Sequence, residues 1–459
     1  MLPAIICIFV AGYLAIALEH RIHINKAASA MLVGVLCWTL YALDSDNLVR
    51  PEMMSHAFVE AAEEEGIADI PHAFLVDEQL LRLTGEVAGI LFFLMGAMMI
   101  VEVVDAHEGF RVITKLIRPT SKVQLLWIVG WLSFFLSAVL DNLTTSIVMV
   151  SLLRKIVPVK SDRLLFSGLV VIAANAGGAW TVIGDVTTTM LWIKHRIGPV
   201  EVMQQLIVPS IACLLVPLLV LSMRLRGTLP PVEHSQREVV GGVRPWQQAV
   251  VLVIGVAGLI SVPIFKTWTH LPPFMGMILA LSVLWIVSEL IGRTMDEVTR
   301  SSTGVLAVLN RIDMSSVLFF LGILLAVGSL ASTGALGDLA QWLDRVVPSR
   351  QYVAVIVGLI SAIVDNVPLV AAGIEMYDLP VNHPFWMLLA FTAGTGGSCL
   401  IIGSAAGVAV MGIEHINFVW YLRYVAPWAL LGFASGVIVF FIQQALVPTL
   451  PTALLLLSP

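Results

Sequence analysis

The chain alternates between long apolar runs and short polar or charged segments. An apolar run of about 20 residues is long enough to cross a bilayer as a helix. Eight windows predict such helices, at positions 2–18, 27–43, 86–104, 203–222, 246–265, 273–291, 315–331 and 424–446. The first window has no basic segment before it and no small-residue cleavage site after it. We therefore expect a membrane helix there and not a secretory signal.

Four further apolar stretches are irregular. An Asp-Asn pair interrupts 123–157 and 351–377, and glycines interrupt 164–194 and 385–413. Irregular backbone at membrane depth is tolerated only where protein or a water-filled cavity covers it. We expect a tight reversal at each pair, called the first tip (Asp141 and Asn142) and the second tip (Asp365 and Asn366). The glycine-rich stretches predict broken helices, called the first break (175–188) and the second break (394–405).

The composition supports a membrane protein. Hydrophobic residues make up 58% of the chain and charged residues 12%, with a mean hydropathy of +0.95, whereas soluble domains carry about 25% charged residues. The four cysteines lie in apolar stretches without metal-ligand or pairing patterns, so we expect free thiols. The net charge is −6 and no basic block suggests nucleic-acid binding. The predicted fold class is an all-α polytopic membrane protein.

The basic residues predict an orientation, because Lys and Arg are enriched in cytoplasmic loops. If each tip dips into the membrane and returns to the same side, most Lys and Arg fall on one side. The acidic loop 44–80 then falls on the other. This predicts re-entrant hairpins at the tips, an outside N-terminus and cytoplasmic basic loops. We expect an integral protein of a bacterial cytoplasmic (inner) membrane.

Three pairs of segments recur in the same order. "LFFLMG" at 91–96 resembles "LFFLG" at 318–322, "SAVLDN" at 137–142 resembles "SAIVDN" at 361–366, and "GGAWTVIGD" at 177–185 resembles "GGSCLIIGS" at 396–404. One match between apolar helices is weak, but three in register indicate a repeat. An odd number of crossings between the copies inverts the second, as in many secondary transporters, whose sites lie at the repeat interface.

The repeat predicts a division of the chain. The segments are N-terminal helices with an acidic outer loop (1–80), a first repeat (81–225), connecting helices (226–312), a second repeat (313–446) and a C-terminal tail (447–459). Each repeat contains one tip and one break.

The tips and breaks carry the candidate chemistry. A carboxylate at mid-membrane is costly and is by default functional. The alternative for Asp141, the cap of a short helix, explains its recurrence as Asp365 less well. The glycines allow an unwound stretch with free carbonyls, although close helix packing is an alternative use of them. The set of carboxylates, amides, hydroxyls and carbonyls suits a hard cation.

Two further acids, Glu86 and Asp313, lie at matched positions five residues before the "LFF" motifs. They are secondary candidates for a proton or ion pathway. The alternative is that they are ordinary acids at helix N-termini, where the helix dipole favours them.

The stretches "SAVLDNLTTS", "NAGGAWTVIGDVTT" and "SAIVDNVPLV" resemble the NhaD family of sodium/proton antiporters. That family lies in a superfamily with sodium-coupled dicarboxylate symporters. The resemblance, over roughly 80–445, implies a scaffold domain, a transport domain, a homodimer in the lipid bilayer and no cofactor. It implies a site built from Asp141, Asn142, Thr144, Thr145, Asn175, Asp185, Thr187, Thr188, Ser361, Asp365, Asn366 and Ser398. Its Na⁺ ligands would be Asp141, Asn142, Asn175, Asp185, Asp365 and Asn366.

The resulting hypothesis is that Na⁺ (or Li⁺) and protons compete for intramembrane carboxylates. Asp141 and Asp185 would be the principal ligands, and Asp365 would complete the cluster or carry the proton. One alternative is a sodium-coupled dicarboxylate symporter, although two acidic tips would repel an anion. A remote alternative is an intramembrane aspartyl protease, whose Gly-x-Gly-Asp motif is incomplete in Val-Ile-Gly-Asp at 182–185. We therefore expect a transporter and not an enzyme.

Overall fold

The computed structural model describes residues 1–17, 19–114, 119, 121–225, 227 and 242–446. Within them, seven helices are long and apolar enough to cross a membrane, and a bent pair adds a possible eighth. The bent pair is Ala405–Glu414 with Phe418–Tyr424, which meet at 113°. The prediction of an integral, helical, polytopic membrane protein is confirmed.

The helices of the described residues include sixteen that are numbered α1–α16. The first eight are α1 (Leu2–Ala17), α2 (Lys26–Ala42), α3 (Leu81–Ala106), α4 (Lys122–Leu140), α5 (Asn142–Ile156), α6 (Lys160–Gly178), α7 (Val186–Ile193) and α8 (Pro199–Arg224). The others are α9 (Pro245–Thr269), α10 (Pro273–Gly292), α11 (Met314–Ser332), α12 (Arg350–Ile360), α13 (Asn366–Met376), α14 (Pro384–Gly396), α15 (Ala405–Glu414) and α16 (Ala426–Leu446).

Each of the eight predicted windows overlaps a described helix, and one of these helices extends well beyond its window. The window 86–104 belongs to α3, which begins at Leu81 and continues a helical segment from Ile70. Asp69 caps that segment, since its Oδ1 accepts a hydrogen bond from the His72 N–H at 3.0 Å. Glu86 therefore lies inside a long helix. A search for apolar windows does not detect a polar extension of a membrane helix.

The chain forms two compact units, each assembled from separate segments. Unit 1 contains Met1–Leu116, Gln236–Pro348 and Val367–Leu379, and therefore α1–α3 and α9–α11. In this unit α2 packs along α11 and α3 packs along α10. The indole N–H of Trp38 in α2 donates to the Leu325 carbonyl in α11 at 2.9 Å.

Unit 2 contains Ile117–Ser235, Ser349–Asn366 and Pro380–Pro459, and therefore α4–α8, α12 and α14–α16. Here α4 packs on α6, α12 packs on α14 and α8 packs on α16. Both units draw on both predicted repeats. The predicted tail 447–459 and positions 226 and 228–241 of the predicted connecting segment lie outside the described residues.

The contacts between α4 and α6 recur between α12 and α14. Ser137 Oγ donates to the Ala174 carbonyl at 2.6 Å, and Ser361 Oγ donates to the Ala393 carbonyl at 2.7 Å. A side chain on Gly177 would overlap the Phe134 carbonyl, and one on Gly396 would overlap the carbonyl of the matching α12 residue. These paired contacts bring each tip beside its break.

Candidate ion-binding site

The first tip is a one-residue interruption, since α4 ends at Leu140 and α5 begins at Asn142. Asp141 adopts φ 80° and ψ 162°, a backbone conformation that is uncommon outside glycine. Its Oδ1 accepts from the Thr144 N–H at 2.8 Å, and its Oδ2 accepts from Thr144 Oγ1 at 3.0 Å. Asp141 thus caps α5, and any ion-binding role would use the same half-buried carboxylate.

The first break interrupts the helix between α6 and α7. Residues 179–185 are non-helical, and a side chain on Gly178 would overlap the Gly184 carbonyl. Gly177, by contrast, gives α6 its close approach to α4. Both interpretations of the glycines therefore apply, one to each part of the segment.

Asp185 lies at the centre of the site. Its side chain is 2% exposed and caps α7, because Oδ1 accepts from both the N–H and the Oγ1 of Thr187 at 2.9 Å. Its Oδ2 accepts from Asn142 Nδ2 at 2.8 Å, and Asn366 Nδ2 lies 3.5 Å from Oδ1. Amides of both tips thus point to one buried carboxylate.

Asn175 connects the first tip to the second break. Its amide nitrogen donates to Ser398 Oγ at 2.9 Å and to Ser404 Oγ at 3.0 Å, so its oxygen faces Asn142 Nδ2 at 3.0 Å. Ser404 was not among the predicted site residues. Its match to Asp185 in the aligned "GG" segments is the sequence feature that could have identified it.

Asn142 is held in one orientation. Its nitrogen uses both hydrogens, on Asn175 Oδ1 and on Asp185 Oδ2. Asp185 can only accept when ionised, which fixes nitrogen as the atom facing it. Within the described part of the chain, Asn142 Oδ1 receives no hydrogen bond. An amide oxygen is a suitable ligand for a hard cation.

The three acids of the site are electrostatic neighbours but do not converge on one point. Asp185 interacts with both Asp141 and Asp365, which is half-buried at the second tip. Among the described residues, no group of three or more His, Cys, Asp or Glu could hold a metal ion.

Two hydroxyls on the first turns of α5 are buried without a partner. Thr145 Oγ1 and Ser146 Oγ are inaccessible and form no hydrogen bond within the described residues. Buried polar groups without partners are uncommon, so these oxygens are available to an ion or to water. Sequence reasoning selected Thr145 but missed Ser146, which directly follows it.

Other predicted residues bind backbone. Thr188 Oγ1 donates to the Asp185 carbonyl at 2.8 Å, and Ser361 donates to α14. Asp313 is exposed and caps α11 by accepting from the N–H of Ser316 at 3.2 Å and from its hydroxyl. Asp313 therefore occupies the position of an ordinary acid at a helix N-terminus, which was the alternative interpretation. Inside α3, Glu86 Oε1 lies 3.6 Å from Arg82 Nε.

Sequence comparisons with known proteins match this chain to transporters. The citrate transporter family model matches residues 13–378. Sodium/proton antiporter 1 of Arabidopsis thaliana is 43% identical over 98% of this chain and 74% of its own. Sodium/proton antiporter 2 of the same plant is 41% identical over 94% of this chain and 97% of its own. The Na⁺/H⁺ antiporter NhaD of Vibrio cholerae is 30% identical over 95% of this chain and 90% of its own.

These matches confirm the predicted resemblance. They also confirm that the chain is a transporter and not an enzyme, so the protease alternative was wrong. The chain belongs to the NhaD-type sodium/proton antiporters, within the family that the citrate transporter model describes.

Proposed function

We propose that the protein exchanges Na⁺ (or Li⁺) for H⁺ across the membrane, with both ions competing for the carboxylates of the site. The observation that carries this proposal is Asp185, a buried carboxylate that receives amides from both tips. The sodium/proton antiporters among its relatives support the choice of ions.

The competition follows from the cost of a buried charge. A carboxylate removed from water is stabilised by taking up a proton or by pairing with a cation. Either ion satisfies this need, and both cannot occupy the same oxygen atoms. Antiport results if the forms loaded with either ion change access and the empty, charged form does not. We assign the principal contacts to Asp141 and Asp185, while Asp365 completes the cluster or carries the proton.

The architecture in this proposal has two inverted repeats, each with a re-entrant hairpin and a broken helix. The recurring contacts of Ser137 and Ser361, and of Gly177 and Gly396, support the repeat. Unit 2 contains all twelve predicted site residues, which favours it as the transport domain. We further propose a homodimer with basic loops on the cytoplasmic side.

The direct test is proton movement in proteoliposomes loaded with a pH-sensitive dye. A Na⁺ gradient is expected to drive proton movement in the native protein, and Asp141→Ala and Asp185→Asn are expected to abolish it. Asp338→Asn, which removes an exposed partner of Arg50 in unit 1, is the control. Full activity of either site variant would overturn the proposed role of that carboxylate.

The second candidate is a sodium-coupled dicarboxylate symporter, which the match to the citrate transporter family favours. Two acidic tips argue against it, because like charges repel an anionic substrate. Uptake of labelled citrate or succinate in the same vesicles separates the two candidates. Na⁺-dependent uptake without counter-movement of protons would replace antiport by symport.

A further inference from the structure

A group of charges around one buried glutamate lies away from the ion-binding site, at the far ends of three helices whose near ends reach that site. Asn142 begins α5, Asn175 lies in the last turn of α6 and Ser404 caps α15. At their far ends these helices carry Arg154, Arg163 and Glu414, respectively. Along a helix at 1.5 Å per residue, about 14–18 Å separates the two ends.

Glu414 is the centre of this group. Its side chain is 1% exposed, and its Oε2 accepts from Arg163 Nε at 2.8 Å. Its Oε1 lies 3.5 Å from Arg154 Nε, whose side chain is 56% exposed. Arg163 also donates through Nη1 to the Val157 carbonyl, at 3.0 Å, in the turn between α5 and α6. The ion pairs thus join α15 to both other helices.

Glu414 also stands at a corner of the chain. It is the last residue of α15, after which His415 takes φ 52° and the chain bends by 113° into Phe418–Tyr424. Tyr421 in that segment donates its hydroxyl proton to the Ser398 carbonyl at 2.8 Å. Both arms of the corner therefore end on serines that orient Asn175, one on Ser404 and the other on Ser398.

We propose that Glu414 is a positioning residue for the ion-binding site. Its pairs with Arg163 and Arg154 fix α15 against α5 and α6, and so fix Ser398 and Ser404 around Asn175. Asn175 in turn orients Asn142, whose oxygen is presented to the cation. A shift of the corner loosens this chain of hydrogen bonds without removing any ligand. The inference rests on the proposed function, because the affected quantity is the affinity for Na⁺.

A purely structural role would not require charge. Burying ions carries a desolvation cost, and well-packed apolar residues of similar volume often serve stability equally well. The ion pairs instead specify direction and distance among three helix ends, which is what a site of several weak ligands needs. Supporting contacts behind metal ligands have this effect on affinity in other proteins.

The test compares Glu414→Gln, Glu414→Asp and Arg163→Lys with Asp162→Asn. Asp162 precedes Arg163 on α6 and pairs with Lys122 at 2.6 Å, so its loss controls for removal of an ion pair on the same helix. The readouts are the KM for Na⁺ and the maximal rate per folded transporter, together with the rise in Tm that Na⁺ produces. The expected result for Glu414→Gln is a KM raised about tenfold with a smaller change in rate.

The conservative variants protect the test against failure to fold. Glu414→Asp retains the charge with a shorter reach, and Arg163→Lys loses the simultaneous bonds to Glu414 and Val157. Both are expected to raise KM less than Glu414→Gln, while Asp162→Asn leaves KM unchanged. A native KM in folded Glu414→Gln, or in both conservative variants if Glu414→Gln does not fold, would overturn the inference. Absence of Na⁺-driven proton movement in the native protein would instead overturn the proposed function.

Discussion

At the scale of residues, the site is organised by amides as much as by acids. Asn142 and Asn175 use their hydrogens on Asp185, Ser398 and Ser404, and this fixes which way each oxygen points. The acids and amides could be predicted because polar residues inside apolar runs are conspicuous. The serines and Tyr421 could not, since hydroxyls are common in membrane helices and only the fold decides which of them meet Asn175.

Replacing Asn175 by alanine tests this organisation. Asn175→Ala removes the acceptor for Asn142 and the donors to two serines, so we expect the KM for Na⁺ to rise about tenfold or more. Ser167→Ala on the same helix is the control, because the Ser167 hydroxyl is buried without a partner in the described structure. Equal KM values for the two variants, measured by dye dequenching, would contradict the proposed role of Asn175.

The unpartnered hydroxyl of Thr145 gives a second prediction. Thr145→Val keeps the shape and removes an oxygen that binds no described protein group, so Tm in the absence of Na⁺ should not fall. If the oxygen contacts the cation or its water, KM for Na⁺ rises. Thr189→Val provides the contrast, because Thr189 donates to the Val182 carbonyl at 2.8 Å and its loss should lower Tm. Unchanged KM in Thr145→Val would exclude a direct role for this hydroxyl.

At the scale of elements, one glycine of each "GG" pair sets how closely two neighbouring helices approach. The repeated "GG" predicted both breaks, and the structure adds that Gly177 and Gly396 each face a carbonyl of the neighbouring helix. Apolar windows also predicted the positions of the spans. Their assignment to units could not be predicted, because it depends on which of many similar apolar faces pack together.

Alanine at either glycine is therefore expected to destabilise the protein. Gly177→Ala and Gly396→Ala force a methyl group into backbone, at a cost of about 1–3 kcal/mol for overpacking. Gly412→Ala in α15 is the control, since no atom lies within 4 Å of its added Cβ and alanine favours the helix. Thermal unfolding in detergent should show lower Tm for the first two and an equal or higher Tm for the third. Unchanged Tm in Gly177→Ala would contradict the close approach of α6 to α4.

At the scale of the whole molecule, ion binding should appear as stability. A ligand that binds only the folded state stabilises it by RT ln(1 + [L]/Kd), about 2.7 kcal/mol at a hundredfold excess over Kd. Protons that compete for the same carboxylates should weaken this effect. Unit 2 contains the predicted site residues, so Na⁺ should stabilise this unit in the first place.

The expected outcome is a rise in Tm with Na⁺ at alkaline pH that disappears as the pH falls. Protonated carboxyl groups carry no charge that attracts Na⁺. Acid therefore removes the Na⁺-dependent rise in Tm and leaves the Tm measured without Na⁺. Thermal scans in NaCl and in choline chloride across a pH series measure the difference. Asp185→Asn should show no Na⁺-dependent rise at any pH. A rise that is independent of pH would argue against competition.

Gly394 occupies the place that the matched "GG" segments assign to the counterpart of Asn175. A Cβ there would lie 3.5 Å from Asp185 Oδ2. A chain built from two identical halves would place a second asparagine in the space next to this acid. Gly394 keeps that space free of a side chain of its own, so the two predicted repeats supply unequal sets of amides to this acid.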